Sequence, residues 1–139
     1  MTVVLGYDES PGADAALQVA IDVAKRFGEP LRLVYGAAPP GGLGEEFKEH
    51  RAALAEMGQQ ATRHALERAQ QEGVDAAVDV VSAKPAEALL RVAEECGARL
   101  IVVGISGESP IKSAMLASTP HKLLQLSTLP VLCVPAGAE

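Results

Sequence analysis

The sequence predicts an α/β fold in which a five-stranded parallel sheet is sandwiched by four helices. Three observations carry this prediction. Five short aliphatic runs alternate with four stretches whose apolar residues recur at helical spacing, and a β-α-β-α-β-α-β-α-β order requires right-handed crossovers with helices on both sheet faces. The runs Val3-Val4-Leu5 and Leu100-Ile101-Val102-Val103 are apolar without alternation, as in strands covered on both faces. The chain is 48% hydrophobic but only 3% aromatic, so its core must be built from Val, Leu, Ile and Ala. Its 139 residues suit one domain, taken as residues 1–139, with one core.

Each element has its own warrant. Thr2 to Tyr7 is a first strand, and Asp8-Glu9-Ser10-Pro11-Gly12 is a turn and helix-start cluster. The first helix runs to Phe27 with Ala13, Ala16, Leu17, Ala20, Ile21 and Ala24 on one face, and Gly28 and Pro30 end it. Leu31 to Tyr35 is a second strand, and Ala37 to Gly44 is a surface loop rich in Gly and Pro. A long helix spans Glu45 to Glu72, with Phe47, Leu54, Met57, Ala61, Ala65 and Ala69 as its buried stripe. Gly58 either kinks it or is tolerated within it, and Gly73 stops it. Asp75 to Ser82 is a weaker third strand. Lys84-Pro85 opens a third helix that buries Ala86, Leu89, Leu90 and Ala93 and ends at Gly97. Arg99 to Val103 is the fourth strand, Gly104 to Ser118 a long connection, and Thr119 to Ser127 a short fourth helix. Leu129 to Val134 closes the sheet, with Pro130 placing its start near an edge.

Composition narrows the function. The net charge of −6 argues against a general nucleic-acid binder, whose affinity comes from Lys and Arg neutralising phosphates, and against docking on an anionic membrane. No apolar run approaches the roughly 20 residues that span a bilayer. The start Met-Thr-Val-Val-Leu-Gly lacks a basic leader region, so a cytoplasmic protein is expected. Cys96 and Cys133 sit inside apolar patterns and read as buried thiols of a reducing compartment. His50, His64 and His121 are scattered without metal-site spacing. Ser10, Ser106, Ser109, Ser113 and Ser118 lack a nucleophile elbow.

In open parallel sheets, ligands bind beyond the carboxyl ends of the strands, where strand order reverses. That directs attention to Tyr7 to Ser10, Gly36 and Ala37, Ser82 to Pro85, and Gly104 to Thr119. Gly104-Ile105-Ser106-Gly107 follows the strongest strand, and Ala117-Ser118-Thr119-Pro120 opens the last helix. Two readings fit these residues. In one, backbone N–H groups of the loop and the positive end of the helix hold an anion such as a nucleotide phosphate. In the other, they are a glycine turn followed by an ordinary N-cap.

At this point the sequence resembles the universal stress proteins, along essentially the whole chain. Val3-Val4-Leu5-Gly6-Tyr7-Asp8-Glu9-Ser10 is similar to that family's first strand and Asp-x-Ser turn, and Ala15, Ala16, Leu17 and Ala20 to its alanine-rich first helix. Leu100 to Gly104 and Pro130 to Pro135 resemble its fourth and closing strands. The nucleotide-binding branch carries Gly-x-x-Gly, nine residues, then Gly-Ser or Gly-Thr. Here Gly104 and Gly107 stand in place, residues 108–116 supply the nine, and Ser118 fills the last position.

The resemblance implies a Rossmann-like, adenine-nucleotide α-hydrolase-like sheet of order 3-2-1-4-5 and a pocket for ATP or AMP. Asp8 would hold ribose or base, and Mg²⁺ would enter only with bound nucleotide. The backbone near Gly36 would meet adenine, Gly104 and Gly107 would line ribose and phosphates, and Ser118 and Thr119 would take the phosphates. Tyr7, Val103 and Ala117 complete the set. The resemblance also implies a homodimer through Pro130 to Val134, a regulatory role in stress response with an unidentified protein partner, and at most weak ATP hydrolysis.

Three residues depart from the pattern. Ala117 replaces the third glycine, Glu108 stands where the family usually has a basic or neutral polar residue, and Arg99 replaces a common acidic residue. A carboxylate near 4 Å from a phosphate costs about 1 kcal/mol in water and about 4 at an intermediate dielectric. Ala117 and Glu108 favour the alternative of a stress-related protein-interaction dimer that no longer binds nucleotide. An enzyme is a third reading, but neither a Ser-Gly-Gly-x-Asp-Ser nor a His-x-Gly-His signature is present.

Overall fold

A computed structural model describes residues 1–8, 11–36, 45–105 and 118–136. Its elements are β1 (Thr2–Gly6), α1 (Pro11–Phe27), β2 (Leu31–Gly36), α2 (Glu45–Gln71), β3 (Ala76–Val81), α3 (Pro85–Cys96), β4 (Ala98–Ile105), α4 (Ser118–Leu126) and β5 (Val131–Pro135). All strand pairs are parallel, and the sheet order is β3-β2-β1-β4-β5. The predicted architecture and strand order are therefore observed.

Alternation along the central strands sorts the core into two layers. Val3, Leu5, Leu31, Leu33, Val102 and Val134 face α1 and α2. Val4, Val34, Ile101 and Val103 face α3 and α4. Ala13, Ala16, Leu17, Ala20, Ile21 and Ala24 of α1 are all buried, as their spacing predicts. Small alanines let α1 lie close to the sheet, which suits a core with few aromatic rings.

Helix ends follow sequence chemistry. Gly28, Gly73 and Gly97 all adopt positive φ, which glycine takes at little cost after a helix. At Gly28 and Gly73 the closing bonds are those of a Schellman motif. Glu29 N–H donates to Ala24 O, and Val74 N–H donates to Ala69 O, each at 3.0 Å.

Three local readings are corrected. Met57 does not face the core but is 55% exposed, and the buried positions of α2 among the described residues are Gly58, Thr62, Ala65 and Ala69. A Cβ on Gly58 would meet Tyr35 Cδ1 and Val80 Cγ2 at 2.9 Å, so this glycine lets α2 lie against β2 and β3. The Thr62 hydroxyl is buried and donates to Gly58 O at 2.6 Å. The side chains of Phe47 and Leu54 lie outside the described residues. In α3, Leu90 is only half-buried, and Ala88 and Val92 join the core instead. Finally, β4 extends through Gly104 to Ile105, because both residues keep register with β5, so Gly104 is a strand residue rather than the start of a loop.

Among the described residues, two ion pairs brace the sheet. Arg32 donates Nε and Nη2 to the two Asp79 oxygens at 2.7 Å across β2 and β3. Arg99, entering β4, donates to both Glu29 oxygens at 2.6 to 2.9 Å and lies 4.3 Å from the Phe27 ring centre. Arg99 thereby ties the exit of α1 to β4.

Candidate functional site

The middle of the sheet opens at its carboxyl end. The β1–β4 pairing ends at Leu5 and Val102. Beyond it, β1 stays with β2 through Gly6 and Val34, and Tyr7 N–H donates to Val34 O at 3.0 Å. β4 instead stays with β5 through Ile105 and Pro135, and Ala136 N–H donates to Ile105 O at 2.9 Å. The two strands thus part like a fork, where strand order reverses. That is the position at which an open α/β sheet leaves room for a ligand.

One lip of the fork carries Tyr7 and Asp8. Tyr7 is 5% exposed, its ring belongs to the core layer under α1, and its hydroxyl donates to Asp14 Oδ1 at 3.0 Å. Asp8 is exposed and offers a carboxylate acceptor for hydroxyl or amino groups. The other lip carries Gly104 and Ile105, the latter 37% exposed. The first turn of α1 lies between them, with the backbone of Gly12 against Gly104. Being parallel, the strands also deliver the N-termini of α1, α3 and α4 to this end of the sheet, each a source of positive helix dipole.

The sequence-derived candidates distribute unevenly. Tyr7, Asp8 and Gly104 meet at the fork. Gly36 ends β2, one strand away, and a Cβ there would meet Ala88 Cβ at 2.8 Å and Pro85 Cα at 3.1 Å, so α3 closes that side. The Val103 side chain is 7% exposed within the core layer under α3 and α4. α4 opens at Ser118, with Thr119 half-buried and Pro120 buried in its first turn. Glu9, Ser10, Ala37 to Gly44, Gly107, Glu108 and Ala117 lie outside the described residues.

Sequence reading missed Gly12 and Asp14 as parts of this site. Gly12 was legible only as a turn residue, because its partner is Gly104, far along the chain. Cys96 and Cys133 are free thiols, half-buried, and burial pushes both up from the ordinary thiol range. Among the described residues, no group of three or more His, Cys, Asp and Glu is gathered to hold a metal ion. No helix among them is long and apolar enough to cross a membrane.

The Usp family model, described as the universal stress protein family, matches residues 1–135. This chain belongs to the universal stress protein family. Universal stress protein YxiE of Bacillus subtilis is 42% identical over 86 residues, a match spanning 62% of this chain and 58% of that relative's length. A universal stress protein of Thermus aquaticus is 35% identical over 143 aligned positions, covering 96% of this chain and 97% of the relative. Among solved structures, a universal stress protein of Burkholderia pseudomallei superposes with a TM-score of 0.77 at 29% identity, covering 96% of this chain and 95% of the other. Two further universal stress proteins share the fold at lower identity. The Archaeoglobus fulgidus protein in complex with dAMP is 19% identical with a TM-score of 0.70, covering 96% of this chain and 97% of the other. The Arabidopsis thaliana protein with AMP bound is 13% identical with a TM-score of 0.72, covering 99% and 93%.

Proposed function

We propose that this chain is a regulatory universal stress protein that binds an adenine nucleotide, ATP or AMP, at the β1–β4 fork. The observation that carries the reading is the fork itself. Strand order reverses there, and the exposed Asp8 carboxylate stands at the lip opposite the Gly104–Ile105 exit of β4. Bound dAMP and AMP in two proteins of the same fold support the ligand class. Asp8 would accept hydrogen bonds from ribose or base. Gly36, Gly104, Gly107, Ala117, Ser118 and Thr119 would complete the pocket, with Tyr7 and Val103 beneath it and Mg²⁺ entering only with the nucleotide.

The role would be regulatory, in a single cytoplasmic domain acting through a homodimer and a protein partner. The test is calorimetry of the purified protein with ATP, ADP and AMP. Saturable heat with any of the three is expected, whereas none at millimolar ligand would overturn nucleotide binding. A second reading, an interaction dimer without nucleotide, is favoured by Ala117 and Glu108, which stand where the motif has a glycine and a basic or neutral polar residue.

A further inference from the structure

We infer that Gly104 and Gly12 form a seat that sets the width of the fork, so that Gly104 governs ligand affinity through helix α1 in addition to lining the pocket. The inference rests on nucleotide binding at the fork. A Cβ on Gly104 would fall 2.2 Å from Gly12 O, 2.3 Å from its carbonyl carbon and 2.9 Å from Ala13 N. These are backbone atoms, so no side-chain rotation relieves the overlap; the helix or the strand must move. From the helix side, a Cβ on Gly12 would lie 3.1 Å from the carbonyl carbon and oxygen of Ile105, tight but not prohibitive. Bare backbone therefore meets bare backbone, and the α1-facing side of Gly104 is closed to a ligand by α1 itself.

The contact joins two parts that the sheet has released from each other. Its first part is β1 with α1, whose first turn is tied back to the strand by the Tyr7 hydroxyl on Asp14. The second is β4, which has left β1 after Val102 and runs with β5. With the ladder between β1 and β4 ended, the seat fixes how far Asp8 stands from the β4 exit. A nucleotide reaching both lips binds only at that separation.

The experiment compares Gly104→Ala, Gly12→Ala and their double mutant with wild type, and uses Gly58→Ala as a control for crowding elsewhere. AMP affinity is measured by calorimetry, and amide hydrogen exchange of residues 12–15 is measured without ligand. Gly104→Ala should speed exchange in that turn and weaken AMP about tenfold or more, as ångström-scale misplacement does. Gly12→Ala should weaken AMP by less. The double mutant should lose less than the product of the two, because one displaced helix accommodates both methyl groups. Gly58→Ala should lose stability yet bind AMP like wild type.

Wild-type affinity in Gly12→Ala alongside a large loss in Gly104→Ala would overturn the seat, since the loss would then come from ligand contact alone. Unchanged exchange in Gly104→Ala would overturn it as well. If Gly104→Ala does not fold, Gly12→Ala decides alone, by a weaker affinity and faster exchange or by neither. Wild-type protein that binds no AMP removes the proposed function, and the exchange data still decide whether the seat holds the turn.

Discussion

Arg99 enters β4 beside the end of α1, and its surroundings explain what it does here. Its guanidinium grips both oxygens of Glu29, whose side chain is only 10% exposed, and stacks on Phe27. The Arg99 hydrogen bonds hold the Glu29 carboxyl below the ordinary glutamate range, against burial, which pushes it up, and with help from the Arg99 charge. A carboxyl with a lower pKa in the folded state contributes stability that is complete above its unfolded pKa. That stability is lost as pH falls through the folded pKa. Glu29→Gln should therefore destabilise the protein at neutral pH, and the gap should begin to close as pH falls through the unfolded glutamate value of about 4.3 and narrow further below it. Urea midpoints across that range measure it. A gap that stays constant would show that the pair acts through packing and not charge. Sequence alone placed Arg99 at the strand entry but could not reveal Glu29, 70 positions away, because ion pairs between elements leave no periodic signal.

At the scale of elements, α2 shows what binary pattern can and cannot reveal. Its buried positions repeat at helical spacing, yet among the described residues two of the four are glycine and threonine, so an apolar count shifts the stripe toward Met57. Gly58→Ala separates propensity from packing. Alanine favours a helix interior by up to about 1 kcal/mol over glycine. Here the added methyl meets Tyr35 and Val80 at 2.9 Å, and such overpacking costs about 1–3 kcal/mol. Net destabilisation of about 1 kcal/mol is expected from urea unfolding, against a near-neutral result for the exposed Gln59→Ala on the same helix. Stabilisation by Gly58→Ala would show that α2 rides further from the sheet. Elements whose signal is local were legible. Gly28, Gly73 and Gly97 each marked a helix end because positive φ is written in one residue. The end of β4 was not, since Gly104 looks like a turn until β5 pairs with it. The fork was legible as a region from the alternation of elements. The Gly12–Gly104 contact was not, because it depends on two backbones meeting.

At the scale of the whole molecule, the sheet has two edges, β3 and β5, and they are not alike. β3 carries Asp79 and the covering α2, while β5 presents Leu132, 39% exposed, and the neighbouring α4 presents Leu124 and Leu126, 61% and 63% exposed. An edge strand offers unpaired N–H and C=O groups, and apolar side chains beside it make pairing with another copy favourable. The expected assembly is a homodimer through Pro130 to Val134. The subunits each carry a net charge of −6, so they repel, and added salt should tighten the dimer by screening that repulsion while leaving the apolar contact in place. Leu132→Lys adds a charge on the strand that must be buried against the partner, yet at an already exposed position, so it should give a folded monomer. Light scattering at tens of micromolar protein should report twice the 14.4 kDa chain mass for wild type and a single chain mass for Leu132→Lys, with unchanged circular dichroism. A wild-type protein that scatters as 14.4 kDa at every salt concentration would sink the edge-strand dimer. A dimer that persists in Leu132→Lys but dissociates in Leu124→Glu would move the interface from β5 to α4.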